Sequence, residues 1–543
     1  MKSLDLWPKF TRDAEVICTP PRTLVRRRFL AGLGIGIGSI LVQRDRVEAA
    51  DERGSQPEFQ TDDSRFQQKY DAALATLKSN ALKVNRFPKS VLIEGGNYPG
   101  VWLECGPLEG RVYGFFQPAV ARANQEIFFD LQRDDGYLPC YVWFQEIGRG
   151  QIQMVVPIAA TALEVCEASG DEALLEKAYT ACGRWDDWLM RYRNTRGTGL
   201  CEAFCTFDTG QDNSPRFKGL PDQCPNNDAR ICPKVDVLPF LAPDLSATVY
   251  GGRVALAKMA HLLGRSSEQG RWEEKADFIR KAIIDRLYDP KDCCFYDLNA
   301  KNQFVRVRGV AVIRILGEHV VGQDLFEQVY ARQVHNPHAF WAPYPFPSIA
   351  LDDPAFVRPV PQNSWGGASQ ALTALRAPRW MEHYGKPADL AHMMSQWIKA
   401  LLAGPGFLQQ LDPMTGEFSP DRGGYSPAAL VMLDYTWRLH GVRVDGRELE
   451  WNCRRLPGSN RTRFLLPVRR GAAELIHGPD SSELSLAGKK LLTVQGTARI
   501  VTDQTGKVLR VVGIGSGESR IQLLWPNQQT RSLEIEANQV KQL

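Results

Sequence analysis

Apolar residues recur with the helical period through most of the middle of this 543-residue chain. Leu175, Ala178, Cys182, Trp185 and Leu189 fall at offsets 0, 3, 7, 10 and 14, one stripe of an amphipathic helix. The stretch Ile152–Cys166 repeats the pattern, and the link Ala168-Ser169-Gly170-Asp171 is short enough to make the two helices antiparallel neighbours. A second pair is expected over Leu245–Leu263 and Trp272–Leu287, with its stripe at Trp272, Ala276, Ile279, Ile283 and Leu287 and its turn at Gly264–Ser267. A third covers Ser364–Tyr384 and Pro387–Leu402, with Gly385 as the stop. Phe66–Leu82, Val120–Gln132 and Ser426–Leu439 add further helices. Hairpins repeated along residues 63–441, separated by longer loops rich in Gly, Pro and aromatic residues, predict a mainly α fold. Its expected form is a toroid with short turns on one face and long loops on the other. An open solenoid is the rival, and it lacks the fixed repeat of about 34 or 40 residues it would need.

After Gly441 the period drops to two. Thr462–Val468, Ala498–Thr502, Arg520–Trp525 and Leu533–Glu536 read as strands, with Asp503-Gln504-Thr505-Gly506 as a hairpin turn. Residues 442–543 are therefore expected to form a β-sandwich-like C-terminal domain, with packing against the helical domain as its default role and sugar binding as the alternative. At the other end, Arg26-Arg27-Arg28-Phe29-Leu30, an apolar run from Ala31 to Val42 and small residues around Val47-Glu48-Ala49 predict a twin-arginine signal over residues 1–50. Residues 51–62 are read as a linker. The expected location is then periplasmic or secreted.

Composition narrows the function. A formal charge of +4 without basic clusters in the body of the chain leaves no footprint for nucleic acid. No uninterrupted apolar run is long enough for a membrane span. Twelve cysteines become eleven once Cys18 leaves with the signal. Some pairing fits an oxidising compartment, with Cys201, Cys205, Cys224 and Cys232 the nearest candidates. Their C-x3-C and C-x7-C spacing departs from zinc patterns, so no metal or other cofactor is expected.

The long loops hold the candidate chemistry. Asn97–Pro107 combines an aromatic platform at Trp102 with the carboxylate of Glu104. Phe207–Arg216 carries Asp208 and Asp212 beside Gly210 and Pro215, which argue for a loop. A third stretch runs from His338 through Trp341 and Tyr344 to Asn363 and Trp365. The fourth runs from Gln409 through Asp412, Glu417 and Asp421 to Pro427. Each alone fits a tight turn. Together, spaced across a toroid, they suit a sugar cleft with paired carboxylates.

The run Asp208-Thr209-Gly210-Gln211-Asp212-Asn213-Ser214-Pro215-Arg216 resembles the E-S-G-x-D-x-S-x-R signature of trehalases, processing α-glucosidases and mannosylglycerate-hydrolase-like enzymes. Asp244-Leu245-Ser246 and the helix after it, and Asp412-Pro413-Met414-Thr415-Gly416, are similar to later segments of the same group. The resemblance implies an (α/α)6 toroid, general-acid duty for Asp212, and substrate contacts from Asp208 and Arg216. It also marks a departure. The group's catalytic base, a Glu three residues before the D-P step, is Gln409 here, and an amide cannot take a proton from water at neutral pH. Either Glu417, Asp421 or Glu104 serves as base, or the alignment is displaced in this loop, or the chain is a weak or non-hydrolytic relative.

The expected reaction is hydrolysis of a glycosidic bond with inversion, Asp212 donating the proton and a second carboxylate activating water. Trp102, Trp341 and Trp365 would stack on sugar, with Asn363, Arg216, Asp208 and Gln409 at its hydroxyls. Rivals are a polysaccharide lyase using Tyr344, His338 and Asn363, and a non-catalytic sugar-binding protein.

Overall fold

The computed structural model describes residues 56–543 apart from 86, 361, 362 and 470, so the signal expected over residues 1–50 lies outside the described residues. Twelve α-helices occur among the described residues: α1 (Ser64–Asn80), α2 (Gly106–Tyr113), α3 (Pro118–Asp130), α4 (Ile158–Ser169), α5 (Glu172–Tyr192), α6 (Pro243–Leu262), α7 (Ser266–Leu287), α8 (Ala311–Gly317), α9 (Gln323–Val329), α10 (Ala371–His383), α11 (Pro387–Ala403) and α12 (Ser426–His440). Local chemistry sets their ends. The Asp63 carboxylate accepts the Arg65 and Phe66 N–H groups, each at 3.0 Å, to start α1. Asp171 does the same for α5 through Leu174, at 2.9 Å. Gly170, at φ 69°, ends α4 in the left-handed region, which a residue without Cβ enters at no steric cost.

The even-numbered helices touch in sequence. α2 packs on α4, α4 on α6, α6 on α8, α8 on α10 and α10 on α12, and α12 returns to α2. α1 lies against α12, α3 against α2, α5 against α4, α7 against α6, and α11 against α10 and α12. Their shared core includes the fully buried rings of Trp188, Trp380, Trp397 and Trp437.

Three expectations change at this level. The helix expected from Ile152 starts at Ile158, because the Ile152 N–H donates to Asp208 Oδ1 and the Met154 N–H to the Asp208 carbonyl, both at 2.9 Å. The helix expected from Ser364 starts at Ala371, because Ser369-Gln370 pair with Gln410-Leu411 as a short antiparallel ladder. The linker read over residues 51–62 contains a strand, Glu58–Thr61, whose Phe59 is buried. Helices α2, α8 and α9 went unread, being too short for a stripe to show.

The C-terminal region is sheet-rich. One antiparallel sheet runs Glu58–Thr61, Thr462–Val468, Gly471–His477, Ser482–Leu486, Lys489–Gln495, Ser519–Leu524, Thr530–Ile535. A second runs Val442–Asp445, Glu448–Cys453, Ala498–Asp503, Val508–Val512, Val540–Gln542. The strand Glu448–Cys453 packs on α12, and the Arg499 guanidinium pairs with Glu382 at the end of α10, with Nη2 to Oε1 at 2.7 Å. The helical and sheet-rich parts thus share an interface tied by a buried cation.

Candidate active site

Three loops converge on Asp212. Its backbone carbonyl accepts the Trp365 N–H at 3.1 Å, and its Oδ2 accepts the Asn363 side-chain N–H at 3.0 Å. Asn213, next in sequence and at φ 57°, donates from its amide to the Asn363 carbonyl at 2.8 Å. Asn363 is itself left-handed, at φ 45°; Asn tolerates this region better than most residues with a Cβ. Gln409 then donates from Nε2 to Asn363 Oδ1 at 3.0 Å and accepts the Tyr98 hydroxyl on Oε1 at 3.2 Å. A relay of amides therefore connects the fourth loop to the carboxylate of the second.

An aromatic wall stands beside this relay. The strand Gly100–Trp102 pairs with Tyr141–Trp143, which gathers Trp102, Tyr141 and Trp143. The Trp102 ring lies 5.7 Å from each of the other two and 5.6 Å edge-on from Tyr98. Gly100 is required here, since a Cβ would meet the Trp143 ring at 2.0 Å. Tyr141 and Trp143 were not singled out from the sequence; the short aromatic alternation Tyr-Val-Trp was the signal available.

Three carboxyls that feel one another's charge, Glu94, Glu104 and Glu109, are buried. Burial, with Glu109 and Glu104 nearby, pushes Glu94 well above the usual range, although the Tyr425 hydroxyl donates to it at 2.7 Å. Burial and the neighbouring Asp212 raise Glu104 to about 7, against the opposing pull of Arg376 and Arg314. Burial raises Glu109 to about 8. Asp212 is raised to about 6, again by burial first, with the Asn363 hydrogen bond pulling the other way and Asp222 adding to the rise. Carboxyls in apolar surroundings hold their protons because water no longer stabilises the charged form. Glu104 Oε2 has no hydrogen-bond partner, and a Cβ on Gly210 would meet it at 1.5 Å. It therefore sits directly under the loop that carries Asp212.

These observations have their counterpart in a family. Residues 111–437 match the model of the mannosylglycerate hydrolase MGH1-like glycoside hydrolase domain. The chain belongs to this family. It is a glycoside hydrolase acting on glycosides. A mannosylglycerate hydrolase of Rubrobacter radiotolerans is 22% identical over 401 residues, 59% of this chain and 87% of the relative. The crystal structure of the GH63 mannosylglycerate hydrolase from Thermus thermophilus in complex with Tris is similar in fold, with a TM-score of 0.55 at 17% identity over 68% of this chain and all of that one. A GH78 family rhamnosidase of Bacillus sp. GL1, with a TM-score of 0.54 at 11% identity, is similar over 88% of this chain and 42% of its own.

In this glycoside hydrolase the expected site residues separate into groups. Asp212, Asn363, Gln409, Trp102 and Glu104 come together as described. Asp421 sits on the rim of the fourth loop, where the Asn97 side chain donates to it at 2.5 Å, and its charge is felt by Tyr98. Asp208, expected at substrate, is instead fully buried. It is paired with Arg193 and accepts the N–H groups of Ile152, Phe204 and Cys205 at 2.9, 2.7 and 3.2 Å, which leaves its oxygens no room for a sugar. Arg216 is likewise consumed. Its Nη1 and Nη2 bind Asp244 at 2.7 Å each, and Nε and Nη2 bind Asp297. Both side chains are committed to partners that hold the loop in place. Trp365 is buried beneath the Arg314 guanidinium, 5.2 Å from its ring centre, so its face is not offered to sugar. Trp341 packs on His335 at 4.5 Å and His392 at 5.8 Å, in a different aromatic group. Glu417 is exposed on the tight turn that Asp412 caps through Met414 at 2.7 Å. Of the lyase set, His338 is exposed and Tyr344 packs on the Gly416 turn, so only Asn363 meets Asp212.

Two clusters have donor types that suit a metal. In Cys205, Asp208 and Cys224 the cation's place is filled by Arg193, whose Nη2 lies 3.0 Å from Asp208 Oδ1 and 3.6 Å from Cys224 Sγ. In Glu94, Cys105 and Glu109, burial holds the protons on all three groups. The eleven cysteines among the described residues are free thiols.

Proposed function

We propose that the chain is an inverting hydrolase of small O-glycosides, with Asp212 as general acid. The observation that carries this reading is the raised Asp212 carboxyl, near 6, held by Asn363 beside an aromatic wall. A carboxyl protonated near neutral pH donates to a leaving oxygen, which an ordinary aspartate does not do at that pH. The cyclic succession of even-numbered helices, flanked by odd-numbered ones, supports an (α/α)6 toroid with this site on its long-loop face. The two sheets support a sandwich-like C-terminal domain. Export follows from the Arg26-Arg27-Arg28-Phe29-Leu30 signal.

Asp421 is the base in this reading. Glu104 lies under Gly210, on the acid's own side, whereas inversion places the base on the opposite face of the sugar. Asp421 shares its loop with Gln409, across the relay from Asp212, and Tyr98 senses the charge of both aspartates. Gln409, unable to accept the proton, orients the attacking water. The relatives named as mannosylglycerate hydrolases put mannosylglycerate first on the substrate panel.

The test is turnover on that panel. Asp212→Asn should lower kcat by about 10²–10⁴-fold with the fold intact. Asp421→Asn should lose a similar factor and recover turnover in azide, with a glycosyl azide of inverted configuration as product. Full activity in Asp421→Asn, or retention of configuration, would sink the assignment of the base.

A further inference from the structure

Three thiols surround one guanidinium behind the acid's loop. Cys205 and Cys224 are buried with their Sγ atoms 3.8 Å apart. Cys232, half-buried, packs on the same small cluster with Phe204. Arg193 lies among them. Its Nη2 is 3.6 Å from Cys224 Sγ, its guanidinium stacks 4.1 Å from the Phe204 ring centre, and its charge reaches Cys205 and Cys232. Burial raises the Cys205 thiol and pushes Cys232 up to about 12, and the Arg193 charge opposes that rise, toward the thiolate that attacks a disulfide.

The two arms that carry Cys205 and Cys224 are already laced together. The Thr206 N–H donates to the Pro221 carbonyl at 2.9 Å, and the Phe207 N–H to the Asp222 carbonyl at 3.1 Å. Between them runs the segment bearing Asp208, Asp212 and Arg216. A disulfide needs its sulfurs about 2.05 Å apart. Two buried side chains on backbone-paired arms reach that spacing by small torsional changes. A cross-link here would close the catalytic loop at its base.

We propose that Cys205 and Cys224 form a disulfide that clamps the Asp212 loop, with Cys232 as the entry point for the oxidant, a small-molecule or protein disulfide. The Cys232 thiolate attacks one sulfur of the oxidant and releases one thiolate, forming a mixed disulfide. The Cys224 thiolate then attacks the Cys232 sulfur, giving Cys224–Cys232 and releasing the second oxidant thiolate. The Cys205 thiolate finally attacks the Cys224 sulfur, giving Cys205–Cys224 and returning Cys232 as thiolate. Two protein thiols are oxidised, one disulfide is reduced to two thiols, and the protons pass from the cysteines to the departing thiolates.

The full chain is incubated with oxidised glutathione, free thiols are alkylated, and peptides are mapped before and after reduction. The expected product loses two hydrogens in mass, links Cys205 to Cys224 and leaves Cys232 alkylated. Cys232→Ser should slow its appearance about 10-fold or more without changing the link. Cys205→Ser should stop at Cys224–Cys232. Oxidation should raise Tm by about 2–5 °C and protect the exposed Lys218 bond from trypsin, and dithiothreitol should reverse both. Thiols that stay alkylatable under oxidised glutathione, or a final link joining Cys232 to either partner in the unsubstituted chain, overturn the proposal. The readouts are independent of turnover, so failure here and failure of the catalytic assignment are distinguishable.

Discussion

Asp208 and Asp212 are the same residue type, four positions apart on one loop, and the fold treats them in opposite ways. Asp208 is surrounded by donors: both outer nitrogens of Arg193 and three backbone N–H groups. The Asp212 carboxylate accepts the Asn363 amide, and burial and the charge of Asp222 act against its ionisation. The first is an anchor whose charge is fully answered. The second is under-supplied, and with burial that raises its carboxyl to about 6. Residue type does not decide which aspartate has a raised pKa; burial and the donors around it do.

The comparison can be broken at either end. The largest effect is expected from Asp208→Ala. It leaves the buried Arg193 guanidinium without its counter-charge, and loss of one partner of a buried pair costs about 3–5 kcal/mol. Chemical denaturation of the variant should show a matching loss at neutral pH. A variant as stable as the parent would mean that Arg193 finds another partner and the anchor role is wrong.

Asp212→Asn should do the reverse. The folded-state carboxyl titrates near 6 and an unfolded aspartate near 3.8, so the folded chain holds a proton that the unfolded chain gives up. Stability from this group is fully present below about 4, falls as pH rises toward 6, and stays reduced above that. Asn cannot ionise, so the variant should match the parent at pH 4 and exceed it by roughly 1–3 kcal/mol at pH 7. Equal stability at both pH values would show that Asp212 is not held protonated by burial. The smallest effect is expected from Asn363→Ala. It removes the hydrogen bond that lowers the Asp212 pKa and should move the alkaline limb of the rate profile upward by up to about one pH unit. A downward move would show that Asn363 stabilises the neutral acid instead.

Much of this organisation was legible in the sequence. The long stripes of α5, α6, α7 and α11 announce themselves, as does the turn at Asp503–Gly506. The Asp212 loop could be found because its motif is local. Asp208 and Arg216 were misplaced at the substrate because motif positions say nothing about partners supplied from elsewhere. Arg193 lies 15 residues upstream of Asp208, while Asp297, 81 residues beyond Arg216, takes up the other side chain. Trp365 and Trp341 failed for a related reason, since composition supplies rings but not which face is covered. The Asn363–Gln409 contact spans 46 residues and depends on two left-handed asparagines that no periodicity reveals.

The strand Glu58–Thr61 carries a practical lesson for anyone trimming this protein. It lies alone on the edge of the seven-stranded sheet, paired with Thr462–Val468 some 400 residues later. A shortened chain begun at residue 63, where the helical pattern starts, would lose that cover. The next strand's N–H and C=O groups would become a bare edge, the kind that recruits other chains into aggregates. Phe59 would also be lost from its packing on Phe66, Tyr70 and Phe464, the aromatic knot by which the beginning of the chain holds its distant end.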